Sequence, residues 1–148
     1  MLRLMLALLV ALAGVAFGLA SLLFSEATAA VESLSKRYVP HPVLRTFIGG
    51  FLVIGLTVVY GTRIYNGLSL PLLSDCFTGG PIPTYAFFLK LILTAVTLGV
   101  GFKGGEVTPL FVIGATLGVT IAGPLGLAPD TLAALGFVAV FAAAANTP

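Results

Sequence analysis

The sequence predicts an all-α integral membrane protein, built from tilted transmembrane helices together with short helices that cross only part of a bilayer. Three observations predict it. Apolar residues make up 59% of the 148 and charged residues only 8%, against about 25% charged in a soluble domain. Apolar blocks recur along the whole chain, separated by short runs rich in Gly, Pro and charge. The last two blocks are short and interrupted by glycine, a pairing that points to a binding site within the membrane.

The first apolar run extends from Leu4 to Phe24, about 20 residues and long enough to span. Arg3 before it and small residues after it give it the outline of a secretory signal. The run is longer than the apolar core of such a signal. Gly14 and Gly18 also stand at the spacing that lets membrane helices approach closely. Beyond Phe24 the chain turns amphipathic, with Ala27, Ala30, Val31 and Leu34 opposite Glu26 and Ser33. One long, tilted helix is therefore expected over 3–38, its last turns outside the bilayer. Val39–Pro42 stops it.

The second helix is expected over 43–61, made closely packable by Gly49, Gly50 and Gly55. Lys36, Arg37 and Arg45 make the connection before it the most basic in the chain, which places that loop in the cytoplasm. Residues 62–83 are rich in turn formers and hold a short apolar piece, 68–74, too short to span. It suits a partial helix that dips in and returns under cover of other protein. The next helix, over 84–102, carries Lys90, about two turns inside. A free ammonium at mid-bilayer costs roughly 2.5–3.5 kcal/mol. Lys90 either snorkels to the interface or binds carbonyls at a helix end, or it lines an ion path. Tyr38, Tyr60, Tyr65 and Tyr85 fall near segment ends, as interfacial aromatics do.

Segments 109–123 and 130–146 form a helical hairpin through the tight linker Pro124–Asp130, with Asp130 capping the second member. The first member, 109–123, covers about 22 Å, short of the roughly 30 Å core. Asn146–Thr147–Pro148 reads as one more helix start, Thr147 capping and Pro148 at the first helical position. That leads to the expectation that 1–148 is a piece of a single larger transmembrane domain.

Several function classes are excluded or weakened. A net charge of +2 without a basic, aromatic-interleaved cluster argues against nucleic acid. Cys76 has no partner for an internal disulfide and reads as a small apolar filler. His41, between prolines, reads as a surface residue. Because His41, the neighbours Asp75 and Cys76, and Asp130 stand far apart along the chain, no metal site, cofactor site or catalytic set is expected, and the chain is not read as an enzyme.

The segment "KGGEVTP", Lys103–Pro109, puts polar backbone between membrane-grade apolar stretches. Pro109 is favoured at the first helical position and Thr108 before it as an N-cap. Gly104 and Gly105 allow backbone angles closed to other residues, so consecutive N–H groups can converge. With the positive helix end they form an anion cradle. Exposed backbone is tolerated at depth where it lines a path. Glu106, if inside the membrane, is an ionisable residue that could carry a proton or compete with the anion.

"GFKGGEVTPLFVIGATLG" resembles the anion-path motif of the CLC chloride channel and transporter family: two small residues, an apolar or aromatic pair, a small residue, then proline at the start of a half-membrane helix. The resemblance extends to "LALLVALAGVAFGLASLLF", "YGTRIYNGLSLPLL", "FFLKLILTAVTLGVGFKGGEVTP" and "LAALGFVAVFAAAANTP", nearly the whole chain. It implies the middle-to-later part of a CLC subunit, without the gating-glutamate motif, the tyrosine-bearing element and most of the dimer interface. The anion-binding residues it implies are Gly104, Gly105, Glu106, Val107 and Thr108, with anion-coordinating amides at Glu106 and Val107. Where chloride-selective members carry apolar, aromatic and alanine-like residues, this chain has Glu106, Val107 and Thr108. The "GGEVTP" form resembles the bacterial branch that exchanges fluoride for protons, which makes Glu106 the proton-coupling candidate.

The resemblance thus implies transport of a halide anion, chloride or fluoride, by a channel or by exchange with protons. It implies a homodimeric parent protein that spans the bilayer, in the inner (cell) membrane of a bacterium. The alternative is a structural membrane subunit or anchor, suggested by the small-residue pairs Gly14/Gly18 and Gly114/Gly118.

Overall fold

The computed structural model describes residues 1–145, apart from the side chain of Leu2. The expected helix start at 146–148 lies outside the described residues. Six helices follow one another: α1 (Leu2–Tyr38), α2 (Pro42–Tyr60), α3 (Leu70–Thr78), α4 (Ala86–Gly99), α5 (Val107–Leu125) and α6 (Pro129–Ala144). No strand occurs among the described residues. α1, α2 and α5 are long and apolar enough to cross a membrane. α3, α4 and α6 are shorter, at 9, 14 and 16 residues.

No proline interrupts α1, and its 37 residues reach about 55 Å. A helix that long must tilt within, or emerge from, a core of roughly 30 Å. Its stripe Ala13, Phe17, Ala20, Ser21 and Phe24 is buried, facing α4, α5 and α6. The opposite stripe exposes Leu8, Leu12, Val15, Leu19 and Leu22, a surface suited to lipid. α2 buries only Gly49 and is otherwise an apolar outer helix. Gly14 and Gly18 meet nothing within 4 Å, so no helix among the described residues makes the close approach their spacing allows.

The core centres on α5, where Val112, Ile113, Ala115 and Thr116 are fully buried. α5 and α6 meet backbone to backbone. A Cβ on Gly114 would run into the Gly136 carbonyl, one on Gly118 into the Leu132 carbonyl, and one on Gly136 into the Gly114 carbonyl. Small residues permit this approach, and dispersion between the two surfaces then holds the pair. The Thr116 hydroxyl satisfies itself by donating to the Val112 carbonyl at 2.7 Å. α3 buries Leu72 and Cys76 beside this pair. Cys76 serves as an apolar filler, its Sγ 3.3 Å from the Leu72 carbonyl.

Both members of the hairpin depart from their expected boundaries. α5 begins at Val107 and passes through Pro124 to Leu125, giving 19 residues and about 28 Å. It is therefore close to a full crossing, and shortness cannot place its tip at mid-membrane. Pro109 stands third in the helix, not first. The first few N–H groups of any helix lack an intrahelical acceptor, so proline is tolerated at each of these positions. At the other end Leu127 N–H donates to the Ala122 carbonyl and Gly126 N–H to the Gly123 carbonyl, both at 3.1 Å. Gly126 is left-handed, with φ 65°. This glycine closure holds the last turn despite Pro124. Asp130 is not the cap of α6: Ala128 occupies that place and Pro129 follows at the first helical position. The Asp130 carboxylate instead accepts from Thr131 N–H at 2.8 Å.

The approach to α5 is anchored at the carboxyl end of α4. The Ser35 hydroxyl of α1 donates to the Gly99 carbonyl at 2.8 Å. From α2, Arg45 Nε donates to the Val100 carbonyl at 3.3 Å, and the Thr46 hydroxyl reaches the same oxygen at 3.5 Å. Orphan carbonyls are thereby satisfied, and the guanidinium complements the negative end of the helix dipole. Gly101, with φ 102°, then turns the chain toward α5.

Candidate functional site

Residues 102–105 are irregular, and Glu106 is the flanking residue from which α5 starts. No side chain caps α5 and no backbone acceptor meets its first N–H groups among the described residues, with the positive end of the dipole behind them. Thr108, expected as the cap, lies inside the first turn instead, because the helix starts one residue before it. Its hydroxyl is half-buried and has no partner among the described residues. Gly104, Gly105, Glu106 and Val107 are exposed on this chain.

The glycines serve a different purpose from the expected one. Neither Gly104 nor Gly105 has positive φ, so neither is required by its backbone angles. A Cβ on either would meet nothing within 4 Å. Both line a cavity of about 370 Å³ between α2, α4 and the loop before α3, shared with Tyr65, Asn66, Lys90 and Thr94. Glycine here leaves main-chain atoms bare toward open space.

Glu106 and Val107 lie on another side of the tip. They line a second cavity of about 500 Å³ with Ser25, Thr28 and Glu32 of α1 and Phe141 of α6. The five expected residues therefore share one helix end but divide between two cavities: Gly104 and Gly105 on the α4 side, Glu106 and Val107 on the α1 side. Thr108 lines neither. A third groove, about 750 Å³, runs along α2 and is almost wholly apolar, lined by Phe47, Phe51, Ile54 and Phe102. It offers no group that would hold an ion.

Lys90 does not snorkel. It is 1% exposed, and its Nζ donates to the Tyr65 carbonyl at 3.0 Å, the Gly67 carbonyl at 2.5 Å and Ser69 Oγ at 2.9 Å. The two carbonyls belong to the connection between α2 and α3 and Ser69 is the N-cap of α3, so Lys90 binds carbonyls beside a helix end, though at its amino rather than its carboxyl side. The intramembrane lysine was visible in the sequence; its partners, more than twenty residues upstream, were not.

An electropositive, uncapped helix end beside an open, largely apolar cavity whose wall also carries Asn66, Lys90 and Thr94 is an arrangement that can receive anions. The voltage-gated chloride channel family matches residues 1–148. A chloride/fluoride channel protein of Pseudomonas syringae pv. tomato (strain ATCC BAA-871 / DC3000) is 45% identical over 142 residues, covering 92% of this chain and 31% of that protein. The crystal structure of a CLC-type fluoride/proton antiporter superposes with a TM-score of 0.92 at 40% identity, over 99% of this chain and 37% of the other. The chain thus spans about a third of the length of these relatives.

Proposed function

This chain belongs to the voltage-gated chloride channel family, and on that premise we propose that it forms part of a transmembrane anion transporter. The ion is a halide, fluoride or chloride, moved through a CLC-type channel or in exchange for protons. The protein works as a homodimer in a bacterial inner membrane. Gly104, Gly105, Glu106, Val107 and Thr108 are the anion-binding segment, and Glu106 is the proton-coupling group. The likeness to a fluoride/proton antiporter favours exchange.

The observation that carries the reading is the uncapped tip of α5, with Gly104 and Gly105 bare beside a cavity. Main-chain N–H groups and the Thr108 hydroxyl are suitable donors for a small, strongly hydrogen-bonding anion. The anchor alternative loses the support of Gly114 and Gly118, which are consumed by the contact with α6 inside this chain, and keeps only that of Gly14 and Gly18.

The test uses the full-length protein in liposomes, with anion efflux and proton uptake recorded together. Glu106→Gln is expected to abolish proton coupling. Thr108→Ala is expected to lower anion flux on the order of ten-fold, the loss of one hydrogen bond to a charged ligand. Native flux and native coupling in both variants would remove the assignment.

A further inference from the structure

We propose that Lys90 is a positioning residue of the anion path, a fixed positive charge whose counter-ion is the transported anion. The inference rests on the transport reading above and adds a residue to it.

An ammonium has three N–H donors, and all three are used on Tyr65, Gly67 and Ser69. Hydrogen bonding is therefore satisfied, but charge is not. Among the described residues the one ion pair is Lys36–Glu32, at the surface, and no carboxylate meets Lys90. Buried charges are ordinarily paired, because an uncompensated one is costly in a low-dielectric interior. Dipolar oxygens lower that cost without cancelling the net charge.

The cavity gives the charge somewhere to act. Lys90 is the one charged side chain on the wall that also includes Gly104 and Gly105. Glu106, the nearest acid in sequence to those glycines, lines the other cavity. The positive potential of the ammonium is thus unopposed in the space that reaches the α5 tip, and the low-dielectric surroundings screen it little. With every donor engaged, Lys90 cannot chelate the anion. It concentrates the ion and leaves it free to depart, which is what a transport pathway requires.

Full-length protein in liposomes, assayed over a range of fluoride and chloride concentrations, separates this role from a merely structural one. Lys90→Gln is expected to raise the half-saturating anion concentration about ten-fold while keeping maximal flux within about two-fold. Lys90→Arg is expected to restore the native value. Asn66→Asp places a carboxylate on the same wall with little change of shape and is expected to raise half-saturation as well. That variant decides the matter if Lys90→Gln does not fold. Native half-saturation in Lys90→Gln or in Asn66→Asp, or a fall in maximal flux alone, overturns the proposal and leaves the transport reading standing. Absence of flux from the native protein overturns the transport reading and this inference with it.

Discussion

Gly105 and Gly114 show how differently two glycines of one chain can be used. A side chain at Gly105 would enter open space, whereas one at Gly114 would enter the backbone of α6. Gly105→Ala is therefore expected to keep the native melting temperature in detergent while lowering anion flux, because its methyl group intrudes on the cavity. Gly114→Ala is expected to lose about 1–3 kcal/mol of stability, the usual cost of overpacking. Equal melting temperatures for the two variants would contradict this division. Part of it was legible in the sequence: the glycines of the tip were singled out, but the reason given, unusual backbone angles, was wrong. Sequence pattern says where a glycine stands; it does not say whether backbone or empty space stands opposite.

Among elements, the existence of each helix was readable from apolar runs; the ends of α1 and α2 were readable to within one residue, while those of the later helices were not. Pro109 marks a helix start only to within a turn, and Pro124 failed to stop α5 because the glycine closure at Gly126 holds the turn around it. The carboxyl end of α4 was equally hidden, because its partners Ser35 and Arg45 come from α1 and α2. Ser35→Ala is expected to cost about 1 kcal/mol. It should also speed hydrogen exchange at 101–106, since the segment loses one of its anchors. Exchange at native rates there would show that the Ser35 bond does not steady the approach to the tip.

For the whole molecule, two surfaces matter: an apolar exterior along α1 and α2, and the basic turn between them, which carries Lys36, Arg37 and Arg45. Such turns remain on the cytoplasmic side. A cysteine at exposed His41 is therefore expected to react with a membrane-impermeant thiol reagent in inverted vesicles and not in intact cells, and the opposite labelling would reverse the orientation. The all-helical membrane fold was legible as a whole because composition alone leaves no soluble alternative. The pairing of Lys90 with the Tyr65–Ser69 turn was not, since it depends on two elements distant in sequence meeting. The interlock of α5 with α6 has a mechanical corollary. With main chain pressed on main chain at Gly114, Gly118 and Gly136, these helices cannot slide past one another without breaking the contact. They are expected to move as a single body, so any hinge lies outside the pair, and the irregular segment 102–105 is the joint next to the tip.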